Sequence, residues 1–129
     1  MKIPMWPYYD DEDVKVVSDI LRSGKVNYWT GNKCKEFENE FSNFIKCKYS
    51  IALANGSLAL TAAYMAIGLK EGDELITTPR TFIATTSSAV SLGVIPVFAD
   101  VDKDSGSITA EHIEKLINQK TKAISVVHL

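Results

Sequence analysis

Asn55, Gly56 and Ser57 stand between an apolar run, Tyr49-Ser50-Ile51-Ala52-Leu53-Ala54, and a strong helix-forming stretch that continues through Leu69. A strand, a short polar turn and a helix together leave backbone N–H groups unpaired at the helix start. Those groups and the helix dipole favour an anion, and phosphate is the natural candidate. Ser57 adds a hydroxyl that can touch the anion. The plainer alternative is that Ser57 only caps a core helix, because Asn-Gly-Ser turns are common. A second candidate is Phe82, which follows Pro79-Arg80-Thr81 close to the proposed anion site. A flat ring there can stack on a planar cofactor, or it can pack into the core at a helix start.

The elements needed to position these groups are legible in the pattern. Tyr49–Ala54, Leu75–Thr78, Ile95–Ala99 and Ala123–Val127 read as four buried strands. Helices fall between them: one after Ser57, one over Thr81–Leu92, and one from a Thr109 cap to about Ile117. Glu71-Gly72-Asp73 and Gly93 punctuate the chain. Ala84, Ser87, Ser88 and Ser91 form a small-residue face that predicts close approach of the second helix to the sheet. This β-α-β-α-β-α-β order from residue 49 onward predicts an α/β fold with a mostly parallel sheet flanked by helices. Ligands of such sheets sit beyond the carboxyl ends of the strands, so Asn55, Pro79, Asp100 and His128 should share one edge.

Residues 1–48 form a separate amino-terminal region, an arm, a loop and two helices. Pro4, Trp6, Pro7, Tyr8 and Tyr9 suggest an extended arm packed on another surface. Asp10 is a plausible N-cap for a helix that carries Val14, Val17, Ile20 and Leu21 and ends at Gly24. The loop from Lys25 to Asn32 holds Tyr28, Trp29, Thr30 and Gly31, either as a binding surface or folded over its own core. A second helix from about Cys34 to Ile45 places Phe37, Phe41, Phe44 and Ile45 on one face, which reads as core.

The whole-chain properties narrow the function classes. Of 129 residues, 46% are hydrophobic and 23% charged, and the net charge is -2. This is the composition of a globular protein with a real core, and without a basic block nothing points to nucleic acid or an anionic membrane. No apolar run approaches a membrane span or a signal peptide. Cys34 and Cys47 form no C-x-x-C and no metal cluster, and their scarcity fits a reducing cytosol, hence a cytoplasmic protein. Asp100, Asp102, Asp104 and Glu111 match part of a calcium loop, but the glycine falls one residue late, at Gly106. A polar strand-to-helix turn explains them better than a metal does. There is no G-x-G-x-x-G, no P-loop and no G-x-S-x-G elbow. His112 reads as solvated, and His128 as structural filling more than chemistry.

The pieces combine into a more specific pattern. Asn55-Gly56-Ser57-x-Ala59-Leu60, Glu71-Gly72-Asp73-Glu74-Leu75-Ile76, Pro79-Arg80-Thr81-Phe82-Ile83-Ala84-Thr85, Gly93 to Asp102, and Thr121-Lys122-Ala123-Ile124 to His128-Leu129 occur in this order. In order and spacing the chain closely resembles the DegT/DnrJ/EryC1/StrS family of sugar aminotransferases, which depend on pyridoxal 5'-phosphate (PLP). Tyr28-Trp29-Thr30-Gly31 and Phe37-Glu38 fit it too. The resemblance implies the amino-terminal part of a fold-type-I, aspartate-aminotransferase-like large domain, with residues 49–129 as its first and incomplete portion.

It further implies that Gly56, Ser57 and the Leu58 backbone hold the cofactor phosphate, that Phe82 stacks on the pyridine ring, and that Thr30 and Gly31 lie on the substrate side. Family members act as homodimers and move an amino group, usually from glutamate, to a nucleotide-linked keto sugar for surface polysaccharide, glycan or antibiotic synthesis. The Schiff-base lysine and the acid facing the pyridine nitrogen belong, in the family, to stretches beyond Leu129. No catalytic residue is therefore assigned within this chain, and by itself it should be inactive. Three alternatives remain at this level: a sugar dehydratase of the same family, a non-enzymatic phosphate-binding or interaction module, and an unrelated flavodoxin-like domain.

Overall fold

The computed structural model describes residues 6–128. Residues 1–5 of the expected arm and Leu129 lie outside them. The chain divides into two compact units, Met1–Ala52 and Leu53–Leu129.

The first unit contains helices α1 (Asp11–Ser23) and α2 (Lys33–Phe44). Its order is set locally. Asp10 caps α1 by accepting from the Asp13 amide at 3.0 Å, and the Asp13 carboxylate accepts the Asp10 amide at 3.1 Å. Two otherwise unpaired N–H groups are satisfied reciprocally, and Asp11, Glu12 and Asp13 complement the dipole of the first turn. Gly24 closes α1 with φ of 69°, and its amide donates to the Leu21 carbonyl.

The aromatic stripe of α2 is not core. Phe37, Phe41, Phe44 and Ile45 are all exposed, Phe44 to 83%. Helical spacing defines an apolar face but not what covers it, and among the described residues of this unit none is buried. Phe37 and Phe41 pack on one another, with ring centroids 5.7 Å apart. Trp6, Tyr8 and Tyr9 of the arm are likewise exposed rather than packed.

The expected strand Tyr49–Ala54 does not form. A strand needs a neighbour for its ladder, and among the described residues no segment pairs with this one. The Ala52 amide donates instead to Glu38 Oε1, at 2.8 Å.

The second unit holds helix α3 (Gly56–Ala66), strand β1 (Glu74–Thr77), helix α4 (Ala84–Val90), strand β2 (Ile95–Phe98), helix α5 (Ala110–Glu114) and strand β3 (Thr121–Ile124). The sheet is parallel, with strand order β2-β1-β3. It therefore has three strands, not four. Both helices on either side of β2 came out shorter than their periodicity suggested: α4 begins at Ala84 rather than Thr81, and α5 ends at Glu114.

The central strand is the most deeply buried part of the chain, and Leu75, Ile76, Thr77 and Thr78 are shielded from solvent. Tyr64, Leu69, Leu75, Ala89 and Val94 form the core cluster, with Leu60, Leu92 and Ala123 against it. The small residues of α4 allow the close packing that the sequence implies. Ala84, Thr85, Thr86, Ser88 and Ala89 are buried, whereas Ser87 and Ser91 face outward. Because all three strands run in one direction, Pro79, Asp100 and His128 follow carboxyl ends on a single edge of the sheet.

Candidate functional site

The start of α3 is built from both of its flanks. Asn55 is extended, and its side chain accepts from the Leu58 amide at 3.0 Å, while its carbonyl accepts from Ala59 at 3.1 Å. The cap is therefore Asn55, not Ser57. Among the described residues, the amides of Gly56 and Ser57 meet no acceptor, so two N–H groups remain available at the positive end of an eleven-residue helix. A Cβ placed on Gly56 would meet nothing within 4 Å, so the approach to this turn is open. Of the three positions expected to form an anion cup, Gly56 and Ser57 are free to serve. The Leu58 amide is already committed to Asn55, and an anion would have to share it.

Phe82 sits on the turn between β1 and α4. Its carbonyl accepts from the Thr85 amide, and its ring is 75% exposed although Ala84, Thr85 and Thr86 beside it are buried. Among the described residues Phe82 is therefore not packed into a core, and its face is open to a flat partner.

Hydroxyl groups tie these parts to one another. Ser88 Oγ donates to the Ser57 carbonyl at 3.1 Å, which fastens the first turn of α3 to α4. Tyr64, deep in α3, donates its hydroxyl to the Thr85 carbonyl at 3.0 Å. Thr81 and Thr85 share a hydrogen bond of 2.8 Å between their hydroxyls. Thr77 donates to the Ser125 carbonyl at 2.9 Å, where β1 and β3 end. The first turn of α3 and the turn that carries Phe82 thus both meet α4. In the sequence Ser88 stands out only as a member of the small-residue face, which implies packing and not a bond to Ser57.

The acidic loop after β2 is a turn held by its own side chains. Asp102 Oδ1 accepts from the amides of Asp104 and Ser105 and from the Ser105 hydroxyl. These bonds, led by the Ser105 amide, hold the Asp102 carboxyl below its ordinary value. Val101 and Ile108 pair as an isolated antiparallel bridge across the loop. Among the described residues no group of His, Cys, Asp and Glu is arranged to hold a metal. The Arg80 guanidinium occupies the space where a side chain on Gly106 would stand, which joins the turn before Phe82 to this loop.

Thr30 and Gly31 lie in the first unit. Asn27 Oδ1 accepts from the Trp29 amide, the Thr30 amide and the Thr30 hydroxyl, and the Asn27 carbonyl accepts from Gly31 at 2.8 Å. A Cβ on Gly31 would collide with the Lys25 carbonyl oxygen, so the tight loop admits only glycine there. Trp29 projects from it, 89% exposed. Glu38 supports the loop by accepting from the Tyr28 hydroxyl at 3.2 Å, which raises the Tyr28 pKa. The same carboxylate receives the Ala52 amide, a role for Glu38 that its place in a helical pattern did not reveal.

The family model of the DegT/DnrJ/EryC1/StrS aminotransferases matches residues 7–129. The chain belongs to this family. It is 36% identical over 128 residues to GDP-perosamine synthase of Vibrio cholerae, a match that covers 98% of this chain and 35% of that protein. The structure is similar to that of an aminotransferase from Psychrobacter cryohalolentis, with a TM-score of 0.96, 48% identity, and coverage of 99% of this chain and 32% of the other. It is also similar to a Streptococcus pneumoniae protein described as a sugar aminotransferase and solved in its PLP form. That match has a TM-score of 0.86 and 30% identity, and covers 96% of this chain and 31% of the other. The chain spans about a third of the length of these relatives. The parallel α/β sheet flanked by helices is thus the fold of this aminotransferase family. Among the described residues no helix is long and apolar enough to cross a membrane.

Proposed function

We propose that these residues contribute the phosphate cup and the ring-stacking wall of a PLP-dependent sugar aminotransferase. The observation that carries the reading is the pairing of two free amides at Gly56 and Ser57 with the bare ring of Phe82, both anchored on α4. Family membership across residues 7–129 supplies the class of chemistry.

The residues present fit a phosphorylated, planar cofactor. The Gly56 and Ser57 amides and the Ser57 hydroxyl are donors for an anion, and the open space at Gly56 admits it. Phe82 offers a face for a flat heterocycle. When bound, PLP supplies an electron sink that lets an amine's α-proton leave. The part of this chain is to bind the phosphate, orient the ring and leave its reactive edge to other groups. The Schiff-base lysine and the acid facing the ring nitrogen are assigned, by the family pattern, to residues outside this stretch, and the 129 residues alone are expected not to transaminate.

The amino donor in this reading is glutamate and the acceptor a nucleotide-linked keto sugar, with Thr30 and Gly31 on the substrate side. The protein acts in the cytoplasm, in the synthesis of surface polysaccharide such as lipopolysaccharide, and as a homodimer. The exposed stripe of α2 provides apolar surface for association.

The test uses the natural protein that carries these residues. Purified with PLP and given glutamate without a sugar, it should release 2-oxoglutarate in an amount equal to its bound cofactor and convert the spectrum to that of the pyridoxamine form. A protein that holds PLP but gives no 2-oxoglutarate with glutamate would overturn the aminotransferase reading.

A further inference from the structure

The Ser57–Leu58 peptide is gripped at both ends. Its carbonyl accepts from Ser88 Oγ at 3.1 Å and from the Thr61 hydroxyl at 3.1 Å, and its N–H is held by Asn55 Oδ1 at 3.0 Å. A peptide unit is planar, so fixing its oxygen and its hydrogen fixes the whole plane, including the Ser57 Cα that carries the Ser57 amide and hydroxyl. Thr61 and Asn55 belong to α3 and its cap. Ser88 alone among the three comes from another element, and it is 5% exposed.

We propose that Ser88 is a positioning residue for the cofactor phosphate. It locks the Ser57–Leu58 peptide so that the Gly56 and Ser57 amides and the Ser57 hydroxyl converge on one anion. This inference rests on the phosphate-cup reading above.

Chemistry favours this role over simple packing. A buried hydroxyl in a small-residue helix face could be satisfied locally, as Thr86 does by donating to the Ile83 carbonyl. Ser88 instead spends its only donor across the helix–helix contact, on the Ser57 carbonyl in the first turn of α3. Ser88 lies on the helix that follows the Phe82 turn.

The measurement is binding of PLP and of pyridoxal, which lacks the phosphate, to the natural protein and to its Ser88→Ala and Ser88→Cys variants. The wild type should prefer PLP strongly. Ser88→Ala should weaken PLP, by up to about tenfold if one of the anion's donors loses its alignment, while pyridoxal binding stays unchanged. Ser88→Cys keeps the volume but donates weakly, so it should fall between, and it carries the test if the alanine variant does not fold. Equal weakening of both ligands would reduce Ser88 to packing and overturn the inference. So would an unchanged preference for PLP in both variants, with the cup itself left standing. A wild type that binds the two ligands equally would remove the phosphate cup, and the role of Ser88 with it.

Discussion

The two units of this chain use the same vocabulary of apolar spacing and reach opposite ends. In Leu53–Leu129 the pattern is answered: Leu75 and Ile76 vanish between helices and neighbouring strands, and even Thr77 and Thr78 are buried. In Met1–Ala52 it is not. α1 and α2 each carry a clear apolar stripe, yet none of the described residues there is buried. What holds the first unit together is local: a reciprocal cap, a glycine stop, and Asn27 and Glu38 each accepting from two or more groups. Periodicity therefore reports that a face exists. Whether it becomes core depends on a second surface, which local spacing cannot specify.

The sharpest way to break this contrast is to truncate one side chain in each unit. Leu75→Ala should destabilise the protein by about 2–5 kcal/mol, whereas Phe41→Ala, at a ring already 41% exposed, should cost roughly 1 kcal/mol or less in denaturant unfolding of the 129-residue chain. Equal losses would mean that α2 is buried in solution. Gly31→Ala comes next, with a loss of about 1–3 kcal/mol as the Lys25 carbonyl is displaced. Amide exchange of Trp29–Gly31 should accelerate selectively, and uniform exchange would deny that the loop is locally determined. Asn55→Ala should remove about 1 kcal/mol through loss of the cap, against a negligible change for Ser57→Ala in the absence of ligand. The reverse order would return the cap to Ser57. The smallest effect is electrostatic. The Asp102 carboxyl titrates lower folded than unfolded, so its contribution is full above the unfolded value and fades as pH falls through the folded one. Asp102→Asn should flatten the acid limb of the stability curve slightly, and an unchanged acid limb would show that the Ser105 bonds do not persist in solution.

Much of the second unit was legible in the sequence because its signals are redundant. Leu75–Thr78 is short, apolar and β-branched, is preceded by Glu71-Gly72-Asp73 and is followed by proline, and each feature points to a buried strand. Asp10 and Thr109 were readable as caps because a capping side chain acts on amides two or three residues away. Tyr49–Ala54 has the composition of a strand, but a strand is completed by a partner distant in sequence, and none pairs with it here. The shortening of α4 has a similar origin. Thr81 and Phe82 belong by propensity to a helix, but Thr81 instead turns back, its amide donating to the Pro79 carbonyl. At the candidate site, the glycine and serine of the turn were visible as types. The partners that fix them, Ser88 above all, were not, because a hydrogen bond between two helices leaves no spacing rule behind.

The central place of β1 has a kinetic consequence. Glu74 pairs with Ile95 on one side and Thr121 on the other. The second closure spans more than twice as much chain, which adds roughly 0.7 kcal/mol of loop entropy before any pairing is gained. During synthesis, β1 and β2 can zip together while Thr121–Ile124 is still to emerge, so the other edge of Leu75-Ile76-Thr77 waits unpaired. That interval is when a nascent chain is most exposed to edge-to-edge association with its neighbours, and a faster arrival of residues 121–124 would shorten it.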